Sequence, residues 1–385
     1  MKKSKVKLIA GSMALLMSVS MLTACGGGKS GKIFATEYDI EDYCEDAIIV
    51  SKTDGKVYGL LDNKGKEVLS LDYDDLYFAN KNEYVEDKHD KLYLKAEREE
   101  YEMILDVKGK EILKSTGSLG VLKFELESEP DKNAPFFYER VKASDNYTTE
   151  SYKFYNKDGD YLSEVKNHEK IGDVIWLSNK CYIEWSLKNL VVYNYMGEEM
   201  QRFDKGIGYK VKFDNMYNIY LLTGNENNDL EEVIIDAEGA IKSRGSIMTY
   251  SEFVDKHAEI EKKKREENKK NKPYNLYESN STTKLEDWEG NALYEERYFD
   301  ALNPSGENDC IALTNEDNQA CIIGRSGAKY IDFGLLIYDE DEKMVYMVNE
   351  KDDEKTEVKV IHEGKNSIII PIETEEGFDI YCYGK

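Results

Sequence analysis

Along the chain, runs of four or five residues rich in Val, Ile, Leu, Tyr and Phe alternate with polar stretches rich in Asp, Asn, Lys and Gly. Ala47-Ile48-Ile49-Val50, Lys91-Leu92-Tyr93-Leu94 and Met344-Val345-Tyr346-Met347-Val348 are examples, too short to read as helices and therefore read as strands. One local pattern recurs: a strand, a polar turn closing on Gly, and a second short strand. It runs through Tyr58-Gly59-Leu60-Leu61-Asp62-Asn63-Lys64-Gly65-Lys66-Glu67-Val68-Leu69 and again through Met103-Ile104-Leu105-Asp106-Val107-Lys108-Gly109-Lys110-Glu111-Ile112-Leu113. Asp or Asn opens such a turn with its side chain, and Gly accepts the positive φ that closes it. Weaker copies close on Gly159, Gly197, Gly239, Gly290, Gly327 and Gly364, with a mean spacing of about 43 residues. That is the size of a four-stranded propeller blade.

Residues 33–385 accommodate seven or eight such units, depending on whether the irregular stretch ending at Gly290 is one of them. The expected fold is all-β, a repeat architecture of the seven- or eight-bladed β-propeller type, whose radial closure leaves only short, protected sheet edges. Tandem β-sandwich domains, whose hairpin turns also recur, are the alternative. The first copy also resembles the WG repeat of bacterial surface proteins and lipoproteins, an aromatic residue, Gly, two apolar residues, Asp, two variable residues and Gly. Tyr58-Gly59-Leu60-Leu61-Asp62 with Gly65 follows it, with Tyr in place of Trp. The resemblance implies a β-repeat architecture.

One segment breaks the pattern. Residues 252–272 carry eight bases and six acids, and Phe253, Val254, His257 and Ile260 share a helical face, which predicts a short charged helical insertion. It reads either as a basic finger for anionic lipid or a partner, or as a solvated excursion between strands.

The N-terminus carries an address. Lys2, Lys3, Lys5 and Lys7 precede an uncharged apolar run from Leu8 to Leu22, the form of an export signal. The run ends Leu22-Thr23-Ala24-Cys25 before Gly26-Gly27-Gly28-Lys29-Ser30-Gly31-Lys32, and this ending resembles the lipobox of bacterial lipoproteins. The resemblance implies that Cys25 receives a diacylglycerol and becomes the new terminus. Residues 1–24 are then a signal peptide, 25–32 the lipidated Cys and a Gly-rich tether, and 33–385 the β-repeat domain on the extracytoplasmic face of the cell membrane. The alternative, a retained membrane helix, has to be built from an apolar run that falls short of the ~18 residues of a span and runs into three glycines.

Charge narrows the partners. The 385 residues hold 77 acids and 52 bases; removing residues 1–24 removes four lysines and no acid, leaving a net charge of −29. Such a surface repels phosphate backbones, so nucleic acid is excluded as a partner. EF-hand spacing is missing, and Asn156-Lys157-Asp158-Gly159-Asp160 reads as a turn rather than a calcium loop.

Cys44, Cys181, Cys310, Cys321 and Cys382 form no C-x-x-C pair, which leaves zinc and thioredoxin-type chemistry without support. Cys310 and Cys321 flank the polar turn 314–317; in a symmetric hairpin they face each other, as a disulfide or as two buried thiols. His89, His168, His257 and His362 lie outside any metal or catalytic spacing, and no cofactor, metal ligand or catalytic residue is assigned. The expected function is a lipid-anchored binding or scaffold protein at the bacterial cell surface, held to the membrane through Cys25, with an unknown protein or glycan partner. A carbohydrate-active hydrolase with a carboxylate pair, and an envelope assembly or sensing protein that binds another protein, are the alternatives.

Overall fold

The computed structural model describes residues 31–384 except 46, 53–56, 83–89, 128, 130, 143–148, 167–172, 187, 214, 224–228, 272–274, 280–281, 287–297, 300–309, 315–316, 325–328, 340, 343 and 349–354. Among the described residues are six four-stranded antiparallel sheets, one six-stranded sheet, one two-stranded hairpin and a long helix. The seven larger sheets are the blades of a propeller. Blade 1 consists of Asp39–Cys44, Ala47–Ser51, Tyr58–Leu61 and Glu67–Tyr73, each strand hydrogen-bonded to the next. Blade 2 repeats this with Asp75–Phe78, Tyr93–Arg98, Tyr101–Asp106 and Glu111–Ser115. Blades 3, 4 and 5 occupy 118–166, 173–203 and 207–248 in the same order. Blade 6 spans 298–339, and its sheet continues into two further strands, Met344–Val348 and Lys355–Val358.

Blade 7 closes the ring. Its three inner strands, His362–Glu363, Ser367–Thr374 and Gly377–Gly384, come from the C-terminus, and its outermost strand, Gly31–Thr36, comes from the N-terminus. Gly31 pairs with Cys382 and Lys32 with Tyr381, and the Lys32 ammonium lies 2.6 Å from Asp379. The expected tether therefore loses its last two residues to the fold. The same closure corrects the repeat count: Gly364 lies in the turn between the first and second strands of blade 7, not between third and fourth. No turn of the latter kind is needed where the fourth strand arrives from the other end of the chain. Gly290 and Gly327 lie outside the described residues. Tandem β-sandwiches are excluded by this order, in which each blade is one sheet built in sequence and only the first and last strands exchange.

The second strands of blades 1, 4, 5 and 7 are largely buried on both faces, and in blade 1 alternate side chains enter two different seams. Ala47 and Ile49 join Leu76, Leu94 and Leu105 between blades 1 and 2. Ile48 and Val50 point the other way, against Ile369, Ile380 and Cys382 of blade 7. This is why the strand reads as an unbroken apolar run rather than an alternating one. Each Ile or Val side chain of this strand contributes ~1.5 to 3 kcal/mol by leaving water. The same arrangement joins blades 2 and 3 through Tyr93, Ile104 and Phe137, and blades 4 and 5 through Ile183, Val192 and Ile219.

The predicted helix spans Tyr250–Asn271, here α1. Thr249 caps it: its Oγ1 accepts from the Glu252 amide at 3.3 Å, while the Glu252 carboxylate accepts from the Thr249 amide at 2.7 Å and from its hydroxyl at 2.9 Å. This reciprocal box satisfies amide donors that the first turn leaves without intrahelical partners. Phe253 and Ile260 are buried against Val211, Tyr220 and Leu230 on the face of blade 5. Val254, expected on the same face, is 44 % exposed. One residue on from Phe253 it is rotated by about 100°, away from the blade.

Candidate functional site

The recurring turn positions the most distinctive surface feature. In blades 1 to 5 the third and fourth strands are joined by five-residue turns opening at Asp62, Asp106, Asn156, Asn194 and Asp236. The opening side-chain oxygen accepts the amides two and four residues on, within 3.0 Å in all five. The glycine amide donates to the backbone carbonyl of the opening residue. Strand direction alternates, so these turns and the connections between first and second strands gather at one end of the ring, the turn end.

At the turn end a cavity of about 350 Å³ opens between the turns of blades 2 and 3. Its apolar lining comes from Cys44, Leu92, Val107 and Ile112, and Tyr93 also contributes to the wall. Asn80, fully buried, pins one side: its amide nitrogen donates to the Lys91 carbonyl at 2.8 Å and its oxygen accepts from the Tyr93 amide at 2.8 Å. The rim carries Lys91, Lys108, Lys110 and Lys157, together with Asp90, Asp106 and Asp158. The Asp106 carboxylate is engaged by the amides of Lys108 and Lys110, and Asp90 lies 3.5 Å from the Lys157 ammonium. Burial, reinforced by Asp90, Asp158 and Asp106, pushes the Tyr93 phenol up to about 12, so it stays protonated. Burial likewise holds the Cys44 thiol protonated, with the carboxylate of Glu45 adding to the effect.

The candidates singled out from the sequence fare differently. Cys25 lies outside the described residues. Cys310 pairs across its hairpin with Gly324, and Cys321 with Leu313, so the two cysteines are not opposite each other. Cys310 shares a face with Ala320 and Ile322 in the core against blade 7, and Cys321 points to the other face. Both are buried thiols. The disulfide reading fails because the register is set by 310 opposite 324, three residues away from the symmetric hairpin assumed. Residues 156–160 form the turn expected of them.

Three buried carboxylates each accept a tyrosine hydroxyl: Glu139 from Tyr155 at 2.7 Å, Glu232 from Tyr220 at 3.0 Å, and Glu363 from Tyr330 at 3.0 Å. They belong to blades 3, 5 and 7 and act as cross-links, Glu232 also receiving Asn218 at 3.2 Å and the Lys256 ammonium of α1 at 2.5 Å. Among the described residues no group of three or more His, Cys, Asp and Glu side chains is arranged to hold a metal ion.

Sequence reading missed the cleft. Its one local signal was the Asp-x-Lys-Gly-Lys turn, present at 62–66 and 106–110. The second copy lines this cavity, and the first does not reach it.

No family model and no curated protein matches this chain. Solved structures similar to it include BamB from Moraxella catarrhalis, with 10 % identity and a TM-score of 0.31 over 93 % of this chain and 98 % of that one. The WD40 β-propeller domain of Doa1 matches with 10 % identity and a TM-score of 0.27 over the same shares, and a eukaryotic initiation factor with 7 % identity and a TM-score of 0.35 over 87 % and 96 %. The propeller assignment stands on the sheet order and closure described above.

Proposed function

We propose that this chain is a lipid-anchored, extracytoplasmic propeller that acts as a binding or scaffold protein at the bacterial cell surface. The observation that carries the reading is the position of Gly31. It begins the outer strand of blade 7 at the turn end, opposite Cys382, six residues after Cys25. Six extended residues span at most about 20 Å, so a lipid on Cys25 would hold the turn end of the ring close to the bilayer. Two acyl chains suffice for stable anchoring, since each buried methylene contributes ~0.8 kcal/mol. The test is Cys25→Ser with fractionation and labelled palmitate. Wild-type protein is expected to be labelled and to enter the detergent phase, and the variant to lose both properties. Retention of label or of membrane association in the variant would overturn the anchor. Binding partners are sought by crosslinking on intact cells.

A second reading, an assembly or sensing protein that recognises another protein, is supported by a patch at the start of α1. Ile247, Tyr250, Val254 and Tyr209 are 60 %, 54 %, 44 % and 40 % exposed, and the rings of Tyr209 and Tyr250 lie 5.8 Å apart. Exposed apolar clusters of this kind mark protein contacts.

A further inference from the structure

We propose that the cleft between the turns of blades 2 and 3 binds a phosphate-bearing ligand with a small apolar body. The proposal rests on the reading of the ring as a binding module and adds the chemistry of what it binds.

The cavity, at about 350 Å³, falls in the ~300 to 1,000 Å³ range of small-ligand sites. Its charge runs against that of the chain, which carries an excess of 25 acids. Four lysines meet three aspartates there, and two of those aspartates are already engaged, Asp106 by turn amides and Asp90 by Lys157. Lys91, Lys108 and Lys110 are exposed and make no ion pair among the described residues. Against a chain rich in acids, this concave place holds four lysines beside Asp90, Asp106 and Asp158, and three of those lysines are without an ion pair among the described residues.

The type of cation narrows the anion. The charged donors of the lining are all lysines, compact point charges on flexible stems, which suit the several oxygens of a phosphate. Planar bidentate capture of a carboxylate is the specialty of arginine, and none lines the cleft. Tyr93 adds a phenol that stays protonated and hence donates to an anion rather than repelling it. Leu92, Val107, Ile112 and Cys44 provide apolar surface for the remainder of the ligand. Two sources share this chemistry: a soluble phosphate ester and the headgroup of an anionic phospholipid, the latter brought near by the tether leaving the same end of the ring.

The test is calorimetric titration of the purified protein with sn-glycerol 3-phosphate, alongside cosedimentation with phosphatidylglycerol vesicles. Lys108→Glu/Lys110→Glu is compared with Lys64→Glu/Lys66→Glu, the same reversal in the equivalent turn of blade 1, which lies outside the cleft. Saturable binding is expected, weakening about tenfold between roughly 50 and 300 mM salt. The blade 2 reversal is expected to reduce affinity about tenfold or more, and the blade 1 reversal to change it less than about threefold. Tyr93→Phe removes the donor without altering charge and is expected to weaken binding severalfold, while melting temperatures show that each variant is folded. Binding of the soluble ester assigns a soluble ligand; binding of vesicles alone, sensitive to the blade 2 reversal, assigns the headgroup. No binding in either arm, or equal losses from both reversals, overturns the proposal. If the cell-surface crosslink of the preceding section still forms in that case, the ligand class is wrong and the binding-module reading stands.

Discussion

The Tyr43 hydroxyl and the Ser367 hydroxyl lie 2.6 Å apart, buried, although 324 residues separate them in the chain. Tyr43 is in the first strand of blade 1 and Ser367 begins the second strand of blade 7, so this bond ties the two blades that meet where the ring closes. Both residues are almost completely removed from water, at 1 % and 0 % exposure, so neither group can turn to solvent if its partner is lost. Tyr43→Phe is expected to cost about 1 to 3 kcal/mol in urea unfolding, because it strands the serine hydroxyl. Adding Ser367→Ala is expected to recover part of that loss, since the orphaned group is then removed as well. Simple additivity of the two losses would show that the bond contributes nothing to closure.

Gly109 illustrates how the turns dock one blade on the next. Its φ is +77°, and a Cβ placed there would lie 2.8 Å from Leu69 Cδ2 on the outer strand of blade 1. Gly109→Ala therefore meets backbone strain and a clash across the seam, and a loss of about 1 to 3 kcal/mol is expected in thermal or chemical unfolding. An unchanged midpoint would mean that the turn and its neighbour relax at no cost.

Glu139 couples stability to pH. Burial acts to raise its carboxyl, but hydrogen bonds from Tyr155, Ser115 and Lys153 outweigh that and hold it below the ordinary glutamate value. A depressed folded-state value means that its contribution is complete above the unfolded value of about 4.3 and is lost as pH falls through the lower, folded one. Glu139→Gln is expected to destabilise the protein at pH 7 and to flatten the decline in melting temperature between about pH 5 and pH 3. Parallel profiles for variant and wild type would remove Glu139 as a source of acid sensitivity.

Thr249→Ala removes the cap of α1 and is expected to cost about 0.5 to 2 kcal/mol of helix stability. Hydrogen exchange is the suitable readout, with protection falling across the first turns of α1 while the strands of blades 1 to 3 keep theirs. A uniform loss across all blades would instead make the helix an integral part of the cooperative ring.

Peptide mapping without reductant is expected to return Cys310 and Cys321 in separate, alkylatable peptides, because the two side chains point to opposite faces of their sheet. A crosslinked peptide joining them would require a register shift of the hairpin.

Much of this architecture was written locally. Asp62, Gly65, Asp106 and Gly109 act within five-residue turns, and a turn needs only its own residues to declare itself. The apolar run 47–50 announced a strand, and the shared face of Phe253, His257 and Ile260 announced the helix α1, while its cap at Thr249 came only with the structure. Where local spacing was extended to a pairing it failed, as with Cys310 and Cys321: hairpin register follows from which side chains face the core, and a three-residue offset leaves the composition unchanged. What only the tertiary structure decided has one physical cause, contact between residues far apart in the chain. Gly31 beside Cys382 turns an array of repeats into a closed ring, and the cleft exists because Lys91, Lys108 and Lys157 arrive from three separate connections to one rim. No stretch of sequence contains that rim, so periodicity foretold the blades and packing alone made the site.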